Sequence, residues 1–182
     1  LDLGCGEGDL LKALVVLKGV DPAGVDLSDE CIQACVSKGL TNLHHGDLDE
    51  GLKDYGDKSF DYVILTSTIQ ALHKPMLLIR EMARVGKKCL VSFPNFAHWR
   101  VRAGLGLWGR MPKTQAIPFE WHESPNIHHT TLKDFRGFCD AAGMRILREI
   151  ALWESPRGGI WRVRLLPNLL AEVAVFVLED GR

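Results

Sequence analysis

Apolar residues along this chain follow two rhythms that take turns. Leu1-Asp2-Leu3 reads as the end of a strand, and the glycine-rich segment Gly4-Cys5-Gly6-Glu7-Gly8 follows it. Leu10, Leu14 and Leu17 then recur at helical spacing, with Gly19 as a C-terminal stop. The unit repeats. Gly24-Val25-Asp26 is a second strand, Ser28 stands as N-cap of a helix carrying Ile32, Cys35 and Val36, and Gly39 ends that helix. A third strand is expected near 42–45. Tyr62-Val63-Ile64-Leu65 is apolar on successive residues, the pattern of a strand covered on both faces. Pro75 opens a helix whose core face is Leu78, Met82 and Val85, Gly86 stops it, and Leu90-Val91-Ser92-Phe93 makes a fifth strand. Thr131 and Asp134 have the spacing of a capping box ahead of Phe135, Phe138, Cys139 and Ala142, and Gly143 closes that helix. Two strands remain, about 145–152 and the apolar run 173–178.

Strands alternating with helices predict an α/β, Rossmann-like, doubly wound sheet, mostly parallel and seven-stranded, with ligands beyond the carboxyl ends of the strands. Segments 96–129 and 154–170 break the alternation and read as excursions from the sheet. A length of 182 residues suits a single domain over 1–182. Its first strand is so short that a segment upstream of Leu1 is expected to complete it. The formal net charge is −1 and the basic residues are scattered, which disfavours nucleic acid and anionic membranes as partners. No apolar run reaches the roughly 18–20 residues of a membrane span, and no secretory signal opens the chain. Five cysteines form no CxxC pair, so reduced thiols and a cytoplasmic location are expected. No metal is expected either, because His44-His45 and His128-His129 are adjacent pairs that do not share a helix face.

The glycine loop narrows the ligand. A dinucleotide fingerprint would place its third glycine at position 9, where Asp9 stands. Glu7 and Asp9 at a helix N-terminus would also repel a pyrophosphate. S-adenosylmethionine (SAM) has no phosphate and carries a sulfonium and an ammonium, which suits Asp2 at the strand end, while loop N–H groups suit its carboxylate. Asp26, eighteen residues beyond Gly8, ends the second strand, where a carboxylate can accept from both ribose hydroxyls. Gly46-Asp47-Leu48 follows the third strand, offering an acceptor for an adenine amino group and an apolar neighbour. Each acid also has a local reading: Asp2 as a strand-end charge, Asp26 as a helix-leading acid, Asp47 as a turn former. Together they favour a ligand. The contacts expected for SAM are Asp2, Gly4, Cys5, Gly6, Gly8, Asp26, Leu27, Gly46, Asp47, Leu48 and Ser67.

With these residues in place, the chain resembles the class I SAM-dependent methyltransferases and, more closely, the methionine-biosynthesis family called MetW. The specific part of the likeness is Gly46-Asp47-Leu48-Asp49-Glu50-Gly51-Leu52, Phe60-Asp61-Tyr62-Val63-Ile64-Leu65 and, above all, Ser92-Phe93-Pro94-Asn95-Phe96-Ala97-His98-Trp99-Arg100-Val101-Arg102. Gly109-Arg110-Met111-Pro112, Glu120-Trp121 and Ser124-Pro125-Asn126-Ile127-His128 are similar to the family too, while the stretch after about Glu154 is less typical. The resemblance implies the class I methyltransferase fold and a cytoplasmic bacterial protein acting with homoserine O-acyltransferase.

Two functions fit this reading. One is a SAM-binding activating or regulatory partner of homoserine O-acyltransferase. The alternative is an active methyltransferase on a small-molecule acceptor, with S-adenosylhomocysteine as product. Methyl transfer needs positioning first and a base only for some acceptors. His98, His128 and His129 are the candidate bases, against the plainer reading that each packs or hydrogen-bonds. Gln70, after the fourth strand, touches an acceptor or cofactor edge, or else Thr68 simply caps the next turn. Phe93-Pro94-Asn95 is not the Asn-Pro-Pro-Tyr type of signature, and a nucleic-acid methyltransferase would need a basic groove. Trp99, Trp108 and Trp121 with Arg100, Arg102 and Arg110 have the composition of a docking lid or of internal packing. Arg157, Trp161, Arg162 and Arg164 invite the same two readings.

Overall fold

A computed structural model describes residues 1–155 and 158–181. The first half alternates strand and helix: β1 (Asp2–Leu3), α1 (Asp9–Lys18), β2 (Gly24–Asp26), α2 (Asp29–Ser37) and β3 (Leu43–His45). Then come a 3-10 turn (Leu48–Glu50), β4 (Phe60–Thr66), a second 3-10 turn (Ile69–Ala71), α3 (Pro75–Val85) and β5 (Gly86–Pro94). The second half carries α4 (Trp99–Trp108), α5 (Leu132–Ala142), β6 (Met144–Glu154), β7 (Ile160–Arg162), α6 (Pro167–Leu170) and β8 (Val173–Asp180).

All strands join one sheet in the order β3-β2-β1-β4-β5-β8-β6-β7. The strands β1 to β5 pair in parallel, and β8 lies antiparallel between β5 and β6. Eight strands stand where seven were expected. The additional one is β7, which pairs antiparallel with the end of β6 through Trp153↔Trp161 and lies within the stretch read as an excursion. Its three residues are all exposed, so no inward-facing alternation marked it.

Helix boundaries follow local chemistry. Ser28 Oγ accepts from Cys31 N–H at 3.3 Å, and Thr131 Oγ1 accepts from Asp134 N–H at 3.2 Å while donating to the Asp134 carboxylate at 2.7 Å. The expected core faces of α3 and α5 are buried, except that Phe138 of α5 is only partly so. In α1 the inward residues are Leu11 and Val15, whereas Leu17 is exposed. Nearly every position from 10 to 17 is apolar, so helical spacing alone fits several faces. Val36 of α2 likewise faces out, and Cys35 alone of that helix is fully buried.

The main core lies where β4, β5 and β8 meet α3 and α5. Phe93, Phe135 and Phe176 form its aromatic centre, with ring centroids 4.7 Å apart for Phe93–Phe135 and Phe135–Phe176. Rigid packing there fixes the carboxyl ends of β4 and β5. Among the described residues, no helix is long and apolar enough to cross a membrane.

Candidate functional site

The loop after β1 turns between two close neighbours. A Cβ on Gly4, at φ +69°, would stand 2.7 Å from Thr68 Oγ1, so a glycine is what lets this loop lie against the turn after β4. Gly6, at φ +53°, has open space where its Cβ would be. The amides are largely spent on shaping the loop: Gly4 and Cys5 donate to Val25 O, Gly8 to Cys5 O, and Gly6 to Asp26 Oδ2 at 2.8 Å. Cys5 itself is buried, and burial pushes its thiol up to about 12. Glu7 and Asp9 at the loop tip are partly neutralised by Lys38, whose Nζ is 2.6 Å from Asp9 and 3.7 Å from Glu7.

Asp2, on the strand that leads into this loop, is buried, and its Oδ1 has no hydrogen-bond partner among the described residues. Burial pushes the carboxyl up to about 7, and the nearby Asp26 adds to the rise. An unfolded Asp titrates near 3.9. Between that value and about 7 the folded chain holds a proton that the unfolded chain has lost. This contribution to stability is therefore full below about pH 4, falls as pH rises and is gone above about pH 7. In Asp2→Asn the decline should vanish: urea unfolding from about pH 4 to pH 8 should show the wild type losing roughly 2–4 kcal/mol relative to the variant. Parallel pH profiles for the two proteins would contradict this reading.

Asp26 ends β2 with both oxygens engaged, Oδ2 by Gly6 N–H and Oδ1 by Ser28 N–H at 2.9 Å. Each oxygen retains a second lone pair for a ligand hydroxyl. Leu27, next along, exposes an apolar side chain, and its carbonyl is held by His45 Nε2 at 2.8 Å. His45 is a positioning residue that the sequence reading passed over as half of an unremarkable pair. After β3, Gly46 approaches Val25, Asp47 is exposed and accepts from Asp49 N–H, and Leu48 is buried. Asp49, also unanticipated, accepts from the amides of His73 and Lys74 at 3.0 and 2.6 Å, tying this loop to the start of α3.

At the ends of β4 and β5 the chain is strapped down. Ser67 takes φ +52°, uncommon for a residue with a Cβ, and donates its N–H to Ser92 O. Thr68 occupies the cap position of the second 3-10 turn but makes no cap bond; its hydroxyl donates to Thr66 O. Gln70 is buried, with Nε2 donating to Ser67 O at 2.6 Å and Oε1 unpartnered. Its backbone carbonyl accepts from Ile127 and His128, and Thr130 O accepts from Phe96 N–H, so residues 127–130 bridge both strand ends. His98 is buried with both ring nitrogens unpartnered, and burial, seconded by Arg100, lowers its pKa. His128 and His129 are exposed, and His129 packs edge-on against Phe96 at 4.7 Å. A cavity of about 380 Å³ opens beside Ile69, His129 and Phe135, and another of about 400 Å³ beside Phe96, Trp121 and His129.

The structure thus aligns the candidates in sheet order: Asp47 after β3, Asp26 at β2, Asp2 at β1, Ser67 and Gln70 after β4, His98 after β5. A buried acid with an unpartnered oxygen, on the strand leading into a glycine loop, suits a cationic ligand. Outside this row, Trp99, Trp108 and Trp121 are exposed, contrary to internal packing, and Arg100 lies over the Trp99 ring at 5.5 Å. Trp161 is exposed as well, and Arg157 lies outside the described residues.

Comparison with known proteins gives two kinds of match. Residues 1–178 match the family model described as methionine biosynthesis protein MetW. A bifunctional methionine biosynthesis protein MetXA/MetW from Rhodopirellula baltica is 35% identical over 188 residues, covering 98% of this chain, which spans only 30% of that relative's length. Among solved structures, a SAM-dependent methyltransferase from Thermotoga maritima, described as a possible histamine N-methyltransferase, superposes with TM-score 0.71 at 15% identity, covering 100% of this chain and 80% of its own. One from Archaeoglobus fulgidus gives TM-score 0.71 at 16% identity, covering 98% and 84%. Such distant structures establish the class I methyltransferase fold.

Proposed function

The chain belongs to the MetW family of methionine biosynthesis proteins, and from that premise we propose that it binds SAM and acts with homoserine O-acyltransferase as its activating or regulatory partner. The cofactor part is supported by one observation, the buried Asp2 carboxyl with an unpartnered oxygen on the strand that leads into the glycine loop. In this reading Asp2 meets the cationic end of the ligand, Asp26 accepts from the ribose hydroxyls, and Leu27 and Leu48 flank the adenine with Asp47 at its amino group. When bound, SAM supplies an electrophilic methyl group on a sulfonium. The chain's residues orient that group toward the ends of β4 and β5.

The partner part is supported by the Rhodopirellula baltica relative, in which a MetXA portion and a MetW portion share one chain. SAM regulates such a complex only if it binds the free and the complexed protein with different affinity. A second reading, methyl transfer to a small molecule, is supported by the unpartnered polar atoms of Gln70 and His98, which follow β4 and β5.

Calorimetric titration with SAM and S-adenosylhomocysteine, in the presence and absence of purified homoserine O-acyltransferase, tests both readings. The expected results are saturable nucleoside binding, complex formation and a nucleoside affinity that changes on complexation. No nucleoside binding would remove the cofactor assignment, and no complex would remove the partner. Release of S-adenosylhomocysteine from SAM with an acceptor present would move the conclusion to the second reading.

A further inference from the structure

The stretch between β5 and α5 builds a concave apolar feature apart from the row of candidate SAM contacts. Phe96, Val101 and Ile117 form a small buried cluster of their own, separate from the main core. Phe96 and Ile117 also line the cavity of about 400 Å³, together with Met111, Phe119 and Trp121, which are exposed. Helix α4 adjoins this cavity. It contributes Val101 to the buried cluster, and a Cβ on its Gly104 would stand 2.9 Å from Pro112, another lining residue. On the same helix Leu105, Leu107 and Trp108 face solvent, with Trp108 at 69% and Trp121 beside the cavity at 75% exposure. A tryptophan buries about 150–250 Å² in a core or an interface, so these rings forgo stabilisation that a partner can restore.

Charge narrows the kind of partner. From Phe96 to Phe119 the chain has Arg100, Arg102, Arg110 and Lys113 and no Asp or Glu, in a protein of net charge −1. Arg100 is paired with Glu172 at 3.5 Å and Lys113 with Glu120 at 3.2 Å, while Arg102 is held through Nε by Ala97 O and Arg110 is exposed. A flat lipid surface would leave the cavity empty, and a second copy in an isologous contact would set these arginines against themselves. An apolar side chain flanked by carboxylates fits both the cavity and the charge. We propose that the cavity and its tryptophan rim are the socket that receives such a side chain of homoserine O-acyltransferase. This assignment rests on the partner reading above, and on the relative in which MetXA and MetW portions share one chain.

The test titrates purified homoserine O-acyltransferase of the same organism into the full chain by calorimetry. Trp121→Ala should raise the dissociation constant about thirtyfold, the effect of an anchoring interface residue. Arg110→Glu should raise it about tenfold, and by less at high salt. Trp161→Ala, which removes an equally exposed tryptophan on β7, should bind as the wild type does. Because Trp121 lies at the surface, its variant should keep the wild-type thermal midpoint and S-adenosylhomocysteine affinity. Equal binding by the wild type, Trp121→Ala and Arg110→Glu overturns the socket and leaves the partner reading intact, whereas no complex with the wild type removes both. Weakening in Trp161→Ala but not in Trp121→Ala moves the interface to β7 and overturns the socket too. So does a Trp121→Ala protein of unchanged acyltransferase affinity that has lost wild-type binding to phosphatidylglycerol vesicles, or a wild-type dimer seen by sedimentation.

Discussion

Asp26→Ala should bind S-adenosylhomocysteine at least about a hundredfold more weakly than the wild type. Two hydrogen bonds from ribose hydroxyls to a carboxylate are worth about 1.5–3 kcal/mol each, and a factor of 100 needs about 2.7 kcal/mol. The same side chain also accepts from Gly6 and Ser28, so its removal releases the glycine loop from the start of α2. Asp26→Asn, which keeps one acceptor oxygen, should fall between the two. Calorimetry reads the difference, and an Asp26→Ala protein that binds with wild-type affinity would sink the ribose assignment.

The largest effect on stability is expected at Phe176. Its ring is fully buried on β8, 4.7 Å from Phe135 and 5.8 Å from Phe93, so it touches both the sheet and α5. Phe176→Ala leaves a cavity that the neighbouring strands cannot fill and should cost about 3–5 kcal/mol. For a chain of this size that lowers the thermal midpoint by about 10 °C. Phe176→Leu, which keeps most of the volume, should cost less than about 1.5 kcal/mol. A scan showing Phe176→Ala within a degree or two of the wild type would mean that the aromatic centre is not the core.

Much of this architecture was legible before any coordinates. The apolar run Tyr62-Val63-Ile64-Leu65 is a strand as expected, although only Val63 and Leu65 are fully buried and Tyr62 is exposed, and Ser28 and Thr131 cap as their spacing implied. The class of sheet follows from the alternation of these units. Helix α4 was not legible, because Gly104 and Gly106 interrupt its propensity and its apolar residues Trp99, Leu105, Leu107 and Trp108 are exposed, leaving Val101 alone buried. Strand β7 escaped because three exposed residues bear no periodic signal. At the candidate site, Asp2, Asp26 and Asp47 are proposed from their positions on or just after the short strands β1, β2 and β3. The roles of His45, Asp49 and the buried Gln70 could not be read this way, since each depends on a partner 18 or more residues away or on burial that only the tertiary structure confers.

The insertion of β8 between β5 and β6 bears on how the molecule is made. A ribosome delivers residues in chain order, yet this strand, synthesised after all the others described, belongs in the interior of the sheet. Until it emerges, β5 and β6 have no common neighbour, and their backbone N–H and C=O groups present two open edges of the kind that recruit foreign strands. Translation stalled or cut short before Val173 therefore yields a product prone to clumping.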